Sequence, residues 1–189
     1  DGDWTNPAIS MWNQVMRPLH EGLESASFSQ PENVGYYSVC ADCGGKPIEA
    51  LFHTDSGGMT ENSEDVWGSH VPYLRAVRDA QTKTLPWTKT ITRADLERKL
   101  AAKGHNIGKL RSIALSPLAI GRAAKDRTAS GRVKTMTVTG TKGTATLSGT
   151  TWRSLLGLKS TLFDAKLTKD AVTFTGYGSG HGLGISQWG

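Results

Sequence analysis

Between residues 131 and 176, apolar and polar residues alternate with a period of two in two separate runs, and a short turn folds each run back on itself. Met136 and Val138 share one face, GTKG (140–143) turns the chain, and Ala145 and Leu147 alternate on the return. Phe163, Ala165 and Leu167 alternate next, TKD turns the chain again, and Val172 and Phe174 alternate back. A period of two puts successive side chains on opposite faces, which suits half-buried strands and no helix. This part of the chain is therefore read as β-hairpins. TTWRSLLG, between them, reads as one or two helical turns closed by Gly157.

The segment before them is mixed. Thr92-Arg-Ala-Asp95 is a variant of the capping box, with the acid at the third helical position. Leu96 and Leu100 lie four apart on one helix face and Gly104 stops the helix. Pro117 ends the next apolar run. Further upstream, GGKPIEALFH reads as a turn at Gly44 and Gly45 feeding a strand through Ile48, Ala50 and Phe52, which Ser56–Gly58 breaks. The expected architecture is α+β: a mixed, β-rich domain with few short helices, strands within 45–53 and 131–176, and a helix near 93–103. Residues 1–35 read as an N-terminal arm, with a short helix around Ile9–Met16, and residues 36–189 as the domain proper.

The second hairpin delivers the chain into YGSGHGLGISQWG, residues 177–189, where five glycines surround His181. A histidine on a loop anchored by strands is well placed for function. Glycine at this density permits φ > 0 and close backbone approach. The competing reading is a tight bulge or barrel corner with His181 bonded to backbone.

Composition removes some classes. At 189 residues, 37% apolar and 21% charged, the chain can bury a real core, and it contains no apolar run of about 18 residues that would span a membrane. It opens with no signal-peptide pattern, so an export signal has been removed or lies outside this sequence. The net charge of +5 favours anionic surroundings. The basic residues are scattered and form no stripe interleaved with aromatics, which argues against nucleic acid. Arg93, Arg98, Lys99 and Lys103 share a helix with acids and read as a solvated face. Cys40 and Cys43 form one CxxC, open to a disulfide, free thiols or half a zinc site. A structural zinc needs four ligands, and there is no second CxxC, so no metal is assigned. His53 ends an apolar strand and reads as a satisfied histidine.

Four blocks in order resemble the SpoIID/LytB family of bacterial cell-wall remodelling. They are GKPIEALFHTDSGGMTENSEDVWGSHVPYLRAV (45–77), SGRVKTMTVTG (130–140), LSGTTWRSLLGLKSTLFD (147–164) and GYGSGHGLGISQWG (176–189). The first resembles the family's strand, its Ser-Gly-Gly-x-Thr loop and its Tyr-Leu segment. The last is similar to its Gly-x-Gly-His-Gly-x-Gly-x-Ser-Gln signature. The resemblance covers residues 45–189 and implies a SpoIID-like fold. The family signature continues past Gln-Trp-Gly, so the resemblance also implies an incomplete C-terminal end.

The resemblance further implies a secreted or envelope-associated, extracytoplasmic bacterial protein that acts on peptidoglycan, in sporulation or other wall remodelling. SpoIID-type members are lytic transglycosylases that cut glycan strands stripped of stem peptides, while LytB-type members enhance an amidase. The first chemistry needs one carboxylic acid to protonate the glycosidic oxygen. The resulting carboxylate then takes a proton from the sugar's own 6-hydroxyl as a 1,6-anhydro ring closes. A hydrolytic glycosidase would use two carboxylates. The family's catalytic glutamate sits on a helix upstream of the GKPI strand, and that helix is not recognisable here. The closest string is EGLESAS, which makes Glu21 the candidate acid. By the same resemblance the loop of Ser56, Gly57, Gly58 and Thr60 faces the tail loop in a glycan groove. Tyr177, His181, Ser186 and Gln187 are its substrate-binding candidates, and Trp188 a stacking one. Two function classes therefore stand side by side: a lytic enzyme, and a non-catalytic glycan-binding or amidase-enhancing module. No cofactor is implied, and the resemblance carries no zinc site onto Cys40 and Cys43.

Overall fold

A computed structural model describes residues 38–40, 46–48, 51–79 and 85–187. Two three-stranded antiparallel sheets dominate it. The first has the order β4-β9-β8, with β4 Trp87–Thr92, β8 Phe163–Leu167 and β9 Ala171–Gly176. The second has the order β5-β6-β7, with β5 Leu110–Ala114, β6 Thr135–Gly140 and β7 Thr144–Ser148. Both hairpins fold in the register their alternation demands. Met136 lies opposite Leu147 and Val138 opposite Ala145, while Ala165 lies opposite Phe174 and Leu167 opposite Val172.

The apolar faces of the sheets meet in one core. Met136, Val138, Phe163, Val172 and Phe174 are all fully buried, and the two phenyl rings pack edge-on with centroids 5.7 Å apart. Helix α2, Arg93–Ala102, adds Leu96 and Leu100, both at 0% exposure. It starts as its sequence predicts, with the Thr92 hydroxyl accepting from the Asp95 N–H at 3.1 Å. Arg98, Lys99 and Lys103 are exposed, as expected of a solvated face, whereas Arg93 donates to the carbonyls of Lys169 and Leu110. Helix α3, Gly149–Leu156, lies over β6 with Trp152 at its centre. The Trp152 indole N–H donates to the Met136 carbonyl at 3.0 Å, which satisfies its one polar group inside the core.

Three smaller elements frame the candidate site. The expected strand over 45–53 appears as two short ones, β2 Lys46–Ile48 and β3 Phe52–His53. β2 pairs antiparallel with β1, Ser38–Cys40. β3 instead pairs in parallel with β10, Ile185–Ser186, at the far end of the chain. Between β3 and β4 lies the one-turn helix α1, Ser63–Trp67. No helix among the described residues is long and apolar enough to cross a membrane. Glu21, Cys43, Trp188 and the helix expected at Ile9–Met16 lie outside the described residues.

Candidate functional site

The glycine-rich tail is laced into the protein on two sides. On one side Ser179 exchanges both backbone hydrogen bonds with Asp55, at 3.1 and 2.9 Å, and the Ile185 and Gln187 N–H groups donate to Leu51 and His53. On the other, Tyr177 N–H donates to Leu162 and Gly180 N–H to Lys159. The Ser160 hydroxyl reaches the Tyr177 carbonyl at 2.6 Å, and the Trp87 indole reaches the Gly178 carbonyl at 3.0 Å. These N–H groups are taken by protein acceptors and are not presented to a ligand. The glycines serve close internal packing. At Gly178, where φ is +69°, a Cβ would stand 2.8 Å from the Asp55 carbonyl oxygen and 3.0 Å from the Gly57 nitrogen.

The two glycine loops meet directly. Glu61 N–H donates to the Gly182 carbonyl at 2.8 Å, and Ser56 N–H to the Ser186 hydroxyl at 3.3 Å. Ser56 itself is fully buried, with its hydroxyl donating to Asp79 at 2.6 Å and accepting from Gly58 N–H. A buried hydroxyl so engaged is a loop lock and not an exposed nucleophile. Asp55 caps the same turn, accepting from Gly57 N–H at 2.8 Å. The buried Thr60 hydroxyl donates to the Arg75 carbonyl at 2.8 Å. Tyr177 and Ser186 are half-buried and Gln187 is exposed.

Beneath the contact lies a charged cluster that the sequence reading did not single out. Glu61, 1% exposed, accepts through Oε2 from the hydroxyls of Thr128 and Ser130, each at 2.6 Å, and through Oε1 from Asn62 N–H. Arg132, also 1% exposed, donates to the Ser56 carbonyl at 2.7 Å. Burial pushes the Arg132 guanidinium down to about 10, and the charge of Glu61 is the main influence holding it up. The charged segment Arg127–Arg132 thus runs inward, although scattered basic residues read as surface. Arg127 also knits loops, donating to the carbonyls of Ser116, Gly131 and Phe163.

His181 sits on the rim of this cluster, its ring 5.7 Å from that of His53. His53 Nδ1 faces the Leu183 carbonyl at 3.0 Å and so carries its proton there. His181 Nδ1 accepts from Leu183 N–H at 3.0 Å, so its lone pair is used and, in the neutral ring, its proton lies on Nε2. Leu183 therefore orients both rings. Burial lowers the pKa of each below 6.5; for His53 the Leu183 bond works the other way, and for both rings Arg132 adds to the lowering. His181 is bonded to backbone, as the bulge reading expected. His53 is satisfied at one nitrogen, while its Nε2 is buried with no partner among the described residues.

The two glycine loops meet, as the ordered motifs imply, and hydroxyls and a buried Glu-Arg cluster lock them. The chain belongs to a family described as a domain of unknown function (DUF8618), whose model matches residues 81–184, and the relatives it resembles are members of the SpoIID/LytB family. It is 37% identical over 147 residues to Stage II sporulation protein D of Bacillus subtilis (strain 168), a match covering 76% of this chain and 38% of that protein. It is 28% identical over 190 residues to the Amidase enhancer of the same organism, covering 77% of this chain and 26% of that protein. An uncharacterized protein of Brachyspira hyodysenteriae is 32% identical over 183 residues, covering 94% of this chain and 46% of that one. The chain spans less than half the length of each of these relatives.

Proposed function

We propose that the chain is a peptidoglycan-remodelling domain of SpoIID type that holds glycan strands lacking stem peptides at its paired glycine loops, outside the cytoplasm, without cutting them. One observation carries the non-cutting part. The carboxylates at these loops are buried and engaged by the protein itself: Asp55 by Gly57, Glu61 by Thr128, Ser130 and Asn62, and Asp79 by Ser56. None is presented to a glycosidic oxygen. General acid catalysis is worth about two to four orders of magnitude, and hydrogen-bonding groups do not replace it. His181 does not supply it either, because its lowered pKa keeps it neutral near pH 7. The net charge of +5 suits a polyanionic wall. The similarity to an Amidase enhancer favours a cell-wall amidase as partner.

The second reading is lytic transglycosylation with Glu21 as the acid, and the string EGLESAS supports it. The purified chain incubated with stem-peptide-free glycan separates the two. We expect strands to be retained in a pull-down and mass spectrometry to show no new 1,6-anhydro ends. Robust release of such ends overturns the non-cutting reading. Their loss in Glu21→Gln would then identify the acid.

A further inference from the structure

Leu183 holds the glycine tail shut through both of its peptide groups. It is fully buried, its N–H donates to His181 Nδ1, and its carbonyl accepts from His53 Nδ1, each at 3.0 Å. The chain on either side lies flush against Leu51–His53. A Cβ at Gly180 would stand 2.8 Å from the His53 Cβ, and one at Gly184 would stand 2.2 Å from the Leu51 carbonyl oxygen. Past Leu183, the Ile185 and Gln187 N–H groups donate to the Leu51 and His53 carbonyls. Earlier in the tail the partners are different. Trp87, Ser160 and Leu162 fix Tyr177 and Gly178 from the opposite side. The tail thus divides near Gly180, where φ is +111°, into a part held by the β4-β9-β8 sheet and a part held by β3.

The two rings differ in how they meet a second proton. At His181 the Nδ1 lone pair already accepts from Leu183 N–H. A proton placed on Nδ1 sets two donors head to head, and an imidazolium has no acceptor left to offer. The bond cannot survive that proton, and a buried N–H without a partner is costly. At His53 the bond to the Leu183 carbonyl survives protonation, and the new proton goes to Nε2, which is buried without a partner among the described residues. The surrounding charges are mostly cationic. Arg132 opposes a proton on either ring, Arg153 opposes one on His181, and the rings face each other across 5.7 Å. Asp55 favours a proton on His53 and the Phe52 carbonyl one on His181, but burial outweighs both and each pKa is lowered.

We propose that His181 is a proton-operated latch on the glycine tail: a proton taken up at Nδ1 displaces the Leu183 N–H and frees residues 180–187 from β3, while both three-stranded sheets stay folded. The sign follows from where the ring titrates. In the open tail His181 meets water and titrates near its ordinary value of about 6.5. The open form takes a proton that the closed form refuses, so acid favours opening. Below that value each pH unit raises the open population about tenfold for one proton, until the closed form is protonated too. Above it the tail is closed and indifferent to pH. Release also breaks the bond from Glu61 N–H to the Gly182 carbonyl, so the two glycine loops part. The latch is built from the chain's own bonds and works whatever the loops hold.

The test is amide hydrogen exchange of the whole chain by NMR at about pH 7.5 and 5.5, with rates corrected for intrinsic exchange. Protection at Leu183, Ile185 and Gln187 should fall about tenfold in acid, while Val138 and Phe174 keep theirs. Nitrogen spectra of the His181 ring should show Nδ1 gaining its proton over the same range. His181→Asn places a carbonyl oxygen near the position of Nδ1, accepts from Leu183 N–H and takes no proton. It should keep the tail protected at pH 5.5. The proposal is overturned if the parent's tail keeps its protection, or if tail and sheets lose theirs together, which marks global unfolding. It is also overturned if the Asn variant opens in acid like the parent. Should that variant fail to fold, the parent's ring spectra decide: His181 protonated with the Leu183 amide still protected rules the latch out.

Discussion

Gly182 lies flat against the guanidinium of Arg132: a Cβ on Gly182 would stand 2.5 Å from Nε and 2.6 Å from both Cζ and Nη2. Its φ is +83°, which disfavours any residue with a side chain. Both effects oppose substitution, and the atoms in the way belong to a buried, pinned head. Gly182→Ala should therefore destabilise the fold by about 2–4 kcal/mol. A urea midpoint within error of the parent would mean that the loop does not rest on Arg132.

Glu61 and Arg132 should behave as a coupled pair. Glu61→Gln keeps the shape but removes the charge that chiefly favours the buried Arg132 cation, at a cost of about 2 kcal/mol for a through-space pair not in contact. Arg132→Met alone leaves Glu61 buried with its three donors, Thr128, Ser130 and Asn62, but without the nearby cation. The double variant should be more stable than the sum of the two losses predicts. Strict additivity in a denaturation cycle would show that the two charges do not interact.

The two histidines predict a pH dependence of definite sign. Each has a native pKa below 6.5, through burial first. In the unfolded chain each titrates near its ordinary value of about 6.5. As pH falls through that value, the unfolded chain takes up protons that the native chain refuses, so stability declines until the native pKa values are passed. Above about pH 6.5 their contribution is full and flat. Urea midpoints measured at about pH 7.5, 6 and 5 should fall in that order, and the slope should be smaller in His53→Gln. A parent chain that gains stability on acidification would contradict the neutral, Leu183-bonded pair.

Trp152→Phe tests the core polar contact. Phenylalanine retains most of the packing but leaves the Met136 carbonyl without the indole N–H that now reaches it at 3.0 Å. Loss of that buried partner and of part of the ring volume should cost about 2–3 kcal/mol by thermal or chemical melting. A loss below about 1 kcal/mol would mean that water or relaxation satisfies the carbonyl.

Local signals made much of the scaffold legible. Thr92 and Asp95 are three apart and their cap forms. Phe163, Ala165 and Leu167 alternate against Val172 and Phe174, and that hairpin forms in register. The four motif blocks also pointed to the two glycine loops that meet. What stayed hidden depends on partners far apart in sequence. Nothing near Glu61 announces that Thr128 and Ser130 will enclose it, and nothing near Arg132 announces that Ser56 and Gly182 will cover it. Charged residues in polar, glycine-rich segments look like surface until their partners are known. The parallel pairing of β3 with β10 was illegible for the same reason: two-residue strands carry no periodicity.

That pairing also sets an order of assembly. His53 and Leu183 bond across 130 residues, whereas the hairpins close across turns of a few. Long-range contacts need a costly loop closure before they return anything, so they form late. A chain made from its N-terminus exposes Phe52, His53 and the Ser56 loop until β10, about 130 residues further on, has been made. The scaffold gathers first and the glycine tail then threads between the Asp55 and Ser160 segments, so the candidate site is the last part to close and the first to open. A protease acting on the native protein should therefore cut in residues 177–187 before either hairpin yields.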